Sequence, residues 1–269
     1  MKAKNKINKE LKEKFFRLYN KGTSLRTIAQ KLKVSPNTVK KYLLLQGINV
    51  KSKNIVYDVK VKDDLLIGLY CGIWAGDGTQ YLDNGYRIKI CCHNQNKELI
   101  KFIQDLLINL FGKKSKLVEE ERNRALIRFN SKFIYNYVRN FLEYKDKKTY
   151  TVHLKHHIDK YSKQFLRGFI LGLMLSDGYL KERFYFNTTS KGLAKDMTLI
   201  LENLGFRYNE YIHDRTKQGW KDLHSISLTK QNSRRILGIF DETLIETGYT
   251  KGFSKLKGYI EGKSGPAVI

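Results

Sequence analysis

Only 2 prolines and 3 cysteines occur in 269 residues. With so little proline, punctuation of the chain falls to glycine, which occurs 20 times. Cys71, Cys91 and Cys92 do not make a disulfide framework, and no CxxC or Cys/His zinc spacing appears, so a reducing, intracellular setting is expected. No apolar run approaches the ~20 residues of a membrane-spanning helix. The basic start Met1-Lys2-Ala3-Lys4 leads into no apolar stretch of the kind found in secretory signals. Acids are scarce: 26 Asp+Glu face 51 Lys+Arg, a net charge of +25. Apolar residues make up 41%, enough for a core, which excludes wholesale disorder. An excess of +25 calls for a polyanionic partner. Nucleic acid comes first, because each phosphate neutralised by Lys or Arg releases counterions.

The charge is uneven. Residues 1–53 hold 15 Lys+Arg against 2 Asp+Glu, about half of the total excess in a fifth of the chain. A separate basic module is expected there. Residues 8–20 read as a helix with Leu11, Phe15, Phe16 and Leu18-Tyr19 apolar, stopped at Lys21-Gly22. Ser24 caps a short helix over Leu25–Leu32, with Ile28, Ala29 and Leu32 inward. Ser35-Pro36 then combines a good N-cap with proline at the first helical position, starting a helix to Gln46 with Val39, Tyr42 and Leu43 inward. The stretch from Ser24 to Tyr42 resembles a helix-turn-helix DNA-binding unit, with Lys33 where the family often has glycine. The resemblance implies that the helix after Pro36 enters a major groove, with Asn37, Thr38, Lys40 and Lys41 facing DNA.

The rest of the chain repeats itself. Leu65-Leu-Ile-Gly-Leu-Tyr-Cys-Gly-Ile-Trp-Ala-Gly-Asp77-Gly78 is matched 100 residues later by Phe165-Leu-Arg-Gly-Phe-Ile-Leu-Gly-Leu-Met-Leu-Ser-Asp177-Gly178. Each reads as an apolar helix ending in Asp-Gly. Small residues recur at every fourth position: Gly68, Gly72 and Gly76, then Gly168, Gly172 and Ser176. Such a face lets two helices pack backbone to backbone, and the pairing would bring Asp77 beside Asp177. Glycine costs about 1 kcal/mol per helix-interior position, so this spacing needs a packing reason. Each helix is followed by the same pattern. In the first half, an Asp83-Asn84-Gly85 turn precedes a strand over Tyr86–Cys92. An amphipathic helix through Leu99–Leu110 comes next, then strands at Lys116–Glu120 and Ala125–Asn130 and a helix over Lys132–Leu142. In the second half, strands at Tyr179–Leu180 and Phe184–Asn187 precede a helix through Met197–Leu204. Strands near Tyr208–His213 and Leu223–Leu228 follow, then a helix near Ser233–Phe240.

The two Asp-Gly nonapeptides, with the same pattern behind each, resemble the paired motifs of single-chain LAGLIDADG homing endonucleases. The first copy departs at Tyr70, Trp74 and Ala75 but keeps its terminal acid. The fold expected is therefore α+β: two pseudo-symmetric αββαββα halves with antiparallel saddle sheets, plus a small all-α helix-turn-helix domain. The domains are expected at 1–53, 54–158 and 159–269. The resemblance implies a site-specific double-strand DNA endonuclease that hydrolyses phosphodiesters across the minor groove while its sheets read the major groove. Phosphodiester cleavage needs an activated water and neutralised phosphorane charge, which divalent metal between carboxylates supplies. Two carboxylates at neighbouring helix C-termini repel each other and face the negative dipole end, a conflict that a bound cation removes.

The candidate metal ligands are accordingly Asp77 and Asp177, with the carbonyls of Gly76 and Ser176 implied by the resemblance. Mg²⁺ is the expected cofactor, with Mn²⁺ as a substitute. Lys145 matches a basic position after the last helix of the first half. Its second-half counterpart is Lys251 or Lys255, Lys251 being the candidate carried forward. Asn94 or Gln95, and Thr188 or Thr189, are polar candidates at strand ends. Arg87, Lys89, Arg122, Arg124 and Arg128 in the first half, and Arg183, Arg207, Arg215, Lys217 and Lys221 in the second, mark the strands and their turns as the DNA-binding surface. His156-His157 is placed in the linker between halves. The partner expected is double-stranded DNA, bound by a monomer with no membrane association, in the cytoplasm of a prokaryote or inside an organelle. The competing reading is a non-catalytic binder, an intron RNA maturase or a transcription regulator. The paired acids favour the nuclease, and the helix-turn-helix favours duplex DNA, because A-form major grooves do not admit a helix.

Overall fold

The structure is a computed structural model that describes residues 9–21, 23–48, 50, 58–82, 85–120, 123–180 and 183–246. The chain divides into two compact units, Met1–Ile55 and Val56–Ile269.

The first unit contains α1 (Lys9–Asn20), α2 (Leu25–Lys31) and α3 (Pro36–Leu45). Serine starts both short helices. Ser24 Oγ accepts from Thr27 N at 3.1 Å and Ser35 Oγ from Thr38 N at 3.0 Å, satisfying donors that a helix N-terminus leaves over. Between α2 and α3 the chain turns at Lys33, which takes the left-handed conformation with φ +52°. Phe15, Ile28, Ala29, Val39 and Leu43 form the small core. Phe16, expected on the apolar face of α1, is instead 43% exposed.

The second unit is built on two copies of one plan. In the first, α4 (Asp64–Asp77) leads into β1 (Gly78–Tyr81), β2 (Arg87–His93), α5 (Lys97–Phe111), β3 (Lys116–Glu120), β4 (Arg124–Asn130) and α6 (Lys132–Val138). The connection between the copies carries β5 (Leu142–Glu143), α7 (Lys148–Thr151) and β6 (His153–Leu154). The second copy runs α8 (Lys163–Ser176), β7 (Gly178–Leu180), β8 (Phe184–Thr188), α9 (Lys191–Asn203), β9 (Tyr208–His213), β10 (Leu223–Leu228) and α10 (Lys230–Glu246). Both four-stranded sheets are antiparallel and equivalent in order, β1-β2-β4-β3 and β7-β8-β10-β9. Alternation sets their faces: Ile88, Ile90, Ile127 and Phe129 of the first, and Phe184, Phe186, Ile226 and Leu228 of the second, enter one shared core with α4 and α8. No described helix is long and apolar enough to cross a membrane.

Two expectations are adjusted. The helix expected over 132–142 stops at Val138, because Leu142 is buried by pairing with Leu154 in the β5–β6 ribbon. The connection is also ordered against the second half. Ser190 Oγ donates to Val152 O at 2.6 Å, and Leu154 N donates to Asp196 Oδ2 at 2.5 Å. The Asp83-Asn84 part of the first hairpin lies outside the described residues.

Candidate active site

The site is made by how α4 and α8 meet. At their starts Ser162 Oγ, the N-cap of α8, donates to Asp64 Oδ2 at 2.6 Å. Further along, the glycine faces touch with no side chain between them. A methyl on Gly68 or Gly72 would land on the carbonyl oxygens of Phe165 and Phe169, and one on Gly168 or Gly172 on those of Leu65 and Leu69. The helices are therefore held in register by backbone contact along most of their length.

That register brings the two C-terminal ends together. A Cβ on Gly76 would overlap Ser176 Oγ and lie 3.1 Å from Asp177 Oδ2, so the second acid stands against the residue that precedes the first. Asp77 is half-buried and Asp177 is exposed. A cleft of about 230 Å³ opens beside Asp177, lined in part by Gly76, Lys148, Asp177, Asn187, Thr188 and Thr189; Asp77 follows its wall residue Gly76 and is not itself in the lining. Thr188 and Thr189, expected from sequence, are in its wall, whereas Asn94 and Gln95 are not among its lining residues. Both threonine hydroxyls also serve the fold: Thr188 Oγ1 accepts from Ser190 N at 3.1 Å, and Thr189 Oγ1 donates to Thr149 O at 3.1 Å.

The lysine at the site is Lys148. Its Nζ donates to the carbonyl oxygens of Trp74 at 3.1 Å, Ala75 at 2.6 Å and Gly76 at 2.6 Å, and lies 5.2 Å from the centroid of the Trp74 ring. These are carbonyls of the last turn of α4, where the helix dipole is negative. Burial pushes the ammonium down to about 8, while Asp177 and then Asp77 act to hold it up. Lys145, the residue expected from sequence, is exposed three positions earlier. Lys251 and Lys255 lie outside the described residues. Lys148 and Asn187 were missed. The only signal for Lys148 was Trp74, a departure from the motif that places an aromatic face under the ammonium.

The expected DNA contacts divide by location. In the first unit Asn37, Lys40 and Lys41 are exposed on α3. Thr38 is half-buried, and its hydroxyl is engaged at 2.8 Å with that of Ser35. In the first sheet, Arg87, Lys89 and Arg128 lie on the face opposite the core, with Arg87 facing Asn130 and Lys89 facing Arg128 across β2 and β4. Arg124 begins β4 and reaches Cys91 Sγ at 3.5 Å. Arg122 lies outside the described residues. In the second half the cations sit off the strands. Arg183 is exposed just before β8, and Arg215, in the β9–β10 loop, packs its guanidinium 4.5 Å from the Trp220 ring centroid.

Comparison with known proteins agrees with this division. The LAGLIDADG-like domain model matches residues 64–142 and 164–242, more than half of the chain, and the helix-turn-helix domain of resolvase matches residues 4–44. No curated protein matches the chain. Among solved structures, a variant of I-DmoI in complex with its target DNA in the presence of Mn is 21% identical, over 65% of this chain and 92% of that one, with a TM-score of 0.47. The N-terminal LAGLIDADG domain of WhiA is 11% identical, over 65% of this chain and 80% of that one, with a TM-score of 0.46. The homing endonuclease I-WcaI bound to its DNA recognition sequence is 14% identical, over 72% of this chain and 90% of that one, with a TM-score of 0.44.

Proposed function

The chain belongs to the LAGLIDADG-like domain family, in a form with two copies in one polypeptide, and from that premise we propose that it is a site-specific double-strand DNA endonuclease of the homing type. The observation that carries the proposal is the close approach of the helix ends that bear Asp77 and Asp177, with Asp177 against Gly76, the residue before the first acid. Residues 1–53 serve as a DNA-reading module. Segments 54–158 and 159–269 each supply one sheet to the major groove and one acid to the scissile phosphates at the minor groove. The protein works as a monomer, since both acids come from one chain.

Two aspartates from separate helix ends beside an open cleft suit a hard divalent cation such as Mg²⁺, which takes one or two carboxylates and fills its other positions with water and phosphate oxygens. Among the described residues no group of three His, Cys, Asp or Glu side chains could hold a metal, so the protein's carboxylates at the site stop at these two. The carbonyl of Gly76, a further candidate ligand, already accepts from Lys148 and has a second lone pair to offer. When bound, the metal supplies a Lewis acid for the phosphoryl oxygens and acidifies a water. The chain's own residues set the stage for that chemistry. Asp77 and Asp177 fix the negative charge that attracts the cation. Lys148 holds the last carbonyls of α4 with its three N–H donors and places a positive charge beside the phosphates entering the cleft. Asn187 lines the same cleft and offers an amide to the same phosphates or to water.

The test is incubation of a supercoiled plasmid library of random duplex inserts with the purified chain. Linear product with 3′-staggered ends is expected with Mg²⁺ or Mn²⁺ and none with EDTA. A chain that selects a site yet never nicks it with either metal is a binder, as a maturase or regulator would be. Removing residues 1–53 is expected to weaken binding more than chemistry, and to flatten the salt dependence of log K by about 0.9 for each phosphate that the shortened chain no longer neutralises.

A further inference from the structure

The two sheets, alike in strand order, present opposite chemistry on their open faces. Cross-strand partners share a face. In the first sheet Lys89 faces Arg128, Arg128 faces Lys116, and Arg87 shares their side two residues away along β2. Lys89 Nζ lies 5.0 Å from the ring centroid of Tyr81 on β1. The corresponding face of the second sheet has Tyr185 opposite Ser227, Ser227 opposite Asn209, Asn187 opposite Ser225, and Ser225 opposite Tyr211. Tyr179 on β7 stacks on Tyr185 with ring centroids 4.9 Å apart and an interplanar angle of 9°. No lysine, arginine, aspartate or glutamate occurs in that set. The second sheet's basic residues stand at its turns, as Arg183 and Arg215 do.

These side chains read different bases. Arg and Lys donate to the O6 and N7 acceptors of guanine. Asn pairs with N6 and N7 of adenine, serine hydroxyls serve either, and apolar ring faces pack on the thymine methyl. Resting on the endonuclease reading above, we propose that the chain's target is asymmetric in composition. The half-site under the first sheet is G·C-rich and read by Arg87, Lys89 and Arg128. The half-site under the second sheet is A·T-rich and read by Asn209 and the tyrosines around it.

The experiment is selection of bound duplexes from a random library by the full chain without metal, followed by cleavage of the enriched duplex with Mg²⁺. The same selection is run with Arg87→Ala/Lys89→Ala/Arg128→Ala and with Asn209→Ala/Tyr211→Ala. The wild-type site is expected to carry a G·C-rich half and an A·T-rich half. The first variant relaxes the G·C-rich positions, with discrimination at each guanine falling about tenfold or more, and flattens the salt slope. The second relaxes the A·T-rich positions and leaves the slope unchanged. A site of even composition, or a first variant that relaxes the A·T-rich half, overturns the proposal. An asymmetric enriched duplex that both variants relax as expected, yet that is never cut, overturns the nuclease reading alone and leaves the asymmetry standing. If no duplex is enriched, both fall.

Discussion

The ends of α4 and α8 carry the same acid in the same place, yet different side chains attend their last turns. At the end of α4 a lysine from the connection between the halves donates to three carbonyls in a row. At the end of α8 Ser176 Oγ folds back to Gly172 O at 3.0 Å and Leu173 O at 3.2 Å, about one turn before the carbonyls that match those held by Lys148. The residue before each acid differs: Gly76 stands where the second copy has Ser176. Gly76 has no side chain to fold back, and a Cβ there would overlap Ser176 Oγ. Internal symmetry here fixes where the acids stand, while the groups around each acid have diverged.

The acids are the point at which the halves should still behave alike. Asp77→Asn and Asp177→Asn should each reduce plasmid linearisation below detection while a gel shift stays near wild type. Asn keeps the size of the side chain and loses the charge that holds a cation. One variant that still linearises plasmid at near wild-type rate would make that aspartate a helix end and nothing more.

Lys148 is where the halves should part. Lys148→Met is expected to slow cleavage about tenfold or more, because the end of α4 loses its partner and the phosphates lose a positive charge held in a shielded site. Lys148→Arg should not restore it, because a planar fork does not match three carbonyls on one helix end. The ammonium, titrating at about 8, is present below that pH and absent above it. Single-turnover cleavage should therefore fall as pH rises through 8. The stability contribution has a separate sign. Because the folded pKa lies below the unfolded value, the penalty for burying the charge is fully present below pH 8 and is relieved as pH rises from 8 toward 10.5. Chemical denaturation across that range should find the wild type gaining stability relative to Lys148→Met.

Packing gives a smaller and symmetric effect. Gly72→Ala and Gly172→Ala push a methyl into the backbone of the opposite helix and should each destabilise the fold by about 3 kcal/mol or more, at the upper end for overpacking. Gly238→Ala, in α10 with nothing within 4 Å of the added carbon, should instead stabilise by about 0.5–1 kcal/mol. Thermal melts of the three variants separate glycine required by contact from glycine that is merely present. Least of all should Ser176→Ala matter. Its hydroxyl doubles bonds on carbonyls of its own helix, so melting and cleavage should stay close to wild type.

Much of this arrangement was legible in the sequence because it rests on periodicity. The repeat of glycine at every fourth position predicted the contact of α4 with α8. Strands Lys116–Glu120, Tyr208–His213 and Leu223–Leu228 run as alternation placed them. Lys148 was hidden because composition does not rank it above its neighbours in Lys145-Asp146-Lys147-Lys148. Which lysine turns inward is set by a single turn of helix starting at Lys148, held by Thr151 Oγ1 donating to Lys145 O at 2.5 Å. Asn187 was hidden for a related reason. It is one of several polar residues at the end of β8, and only the placement of α9 and the connection decides which of them line the cleft.

The seam between α4 and α8 has a further consequence, for how such a protein changes over generations. Its contacts are made by carbonyl oxygens and α-carbons, which every sequence possesses. Substitutions elsewhere in either half do not alter it, and nearly any substitution within it is excluded by size. The open faces of the sheets, proposed above to meet DNA, lie across a sheet from this seam and take no part in it. Drift in what each half recognises is thereby uncoupled from the geometry that aligns the two acids, so a new target is reachable without rebuilding the cutting centre.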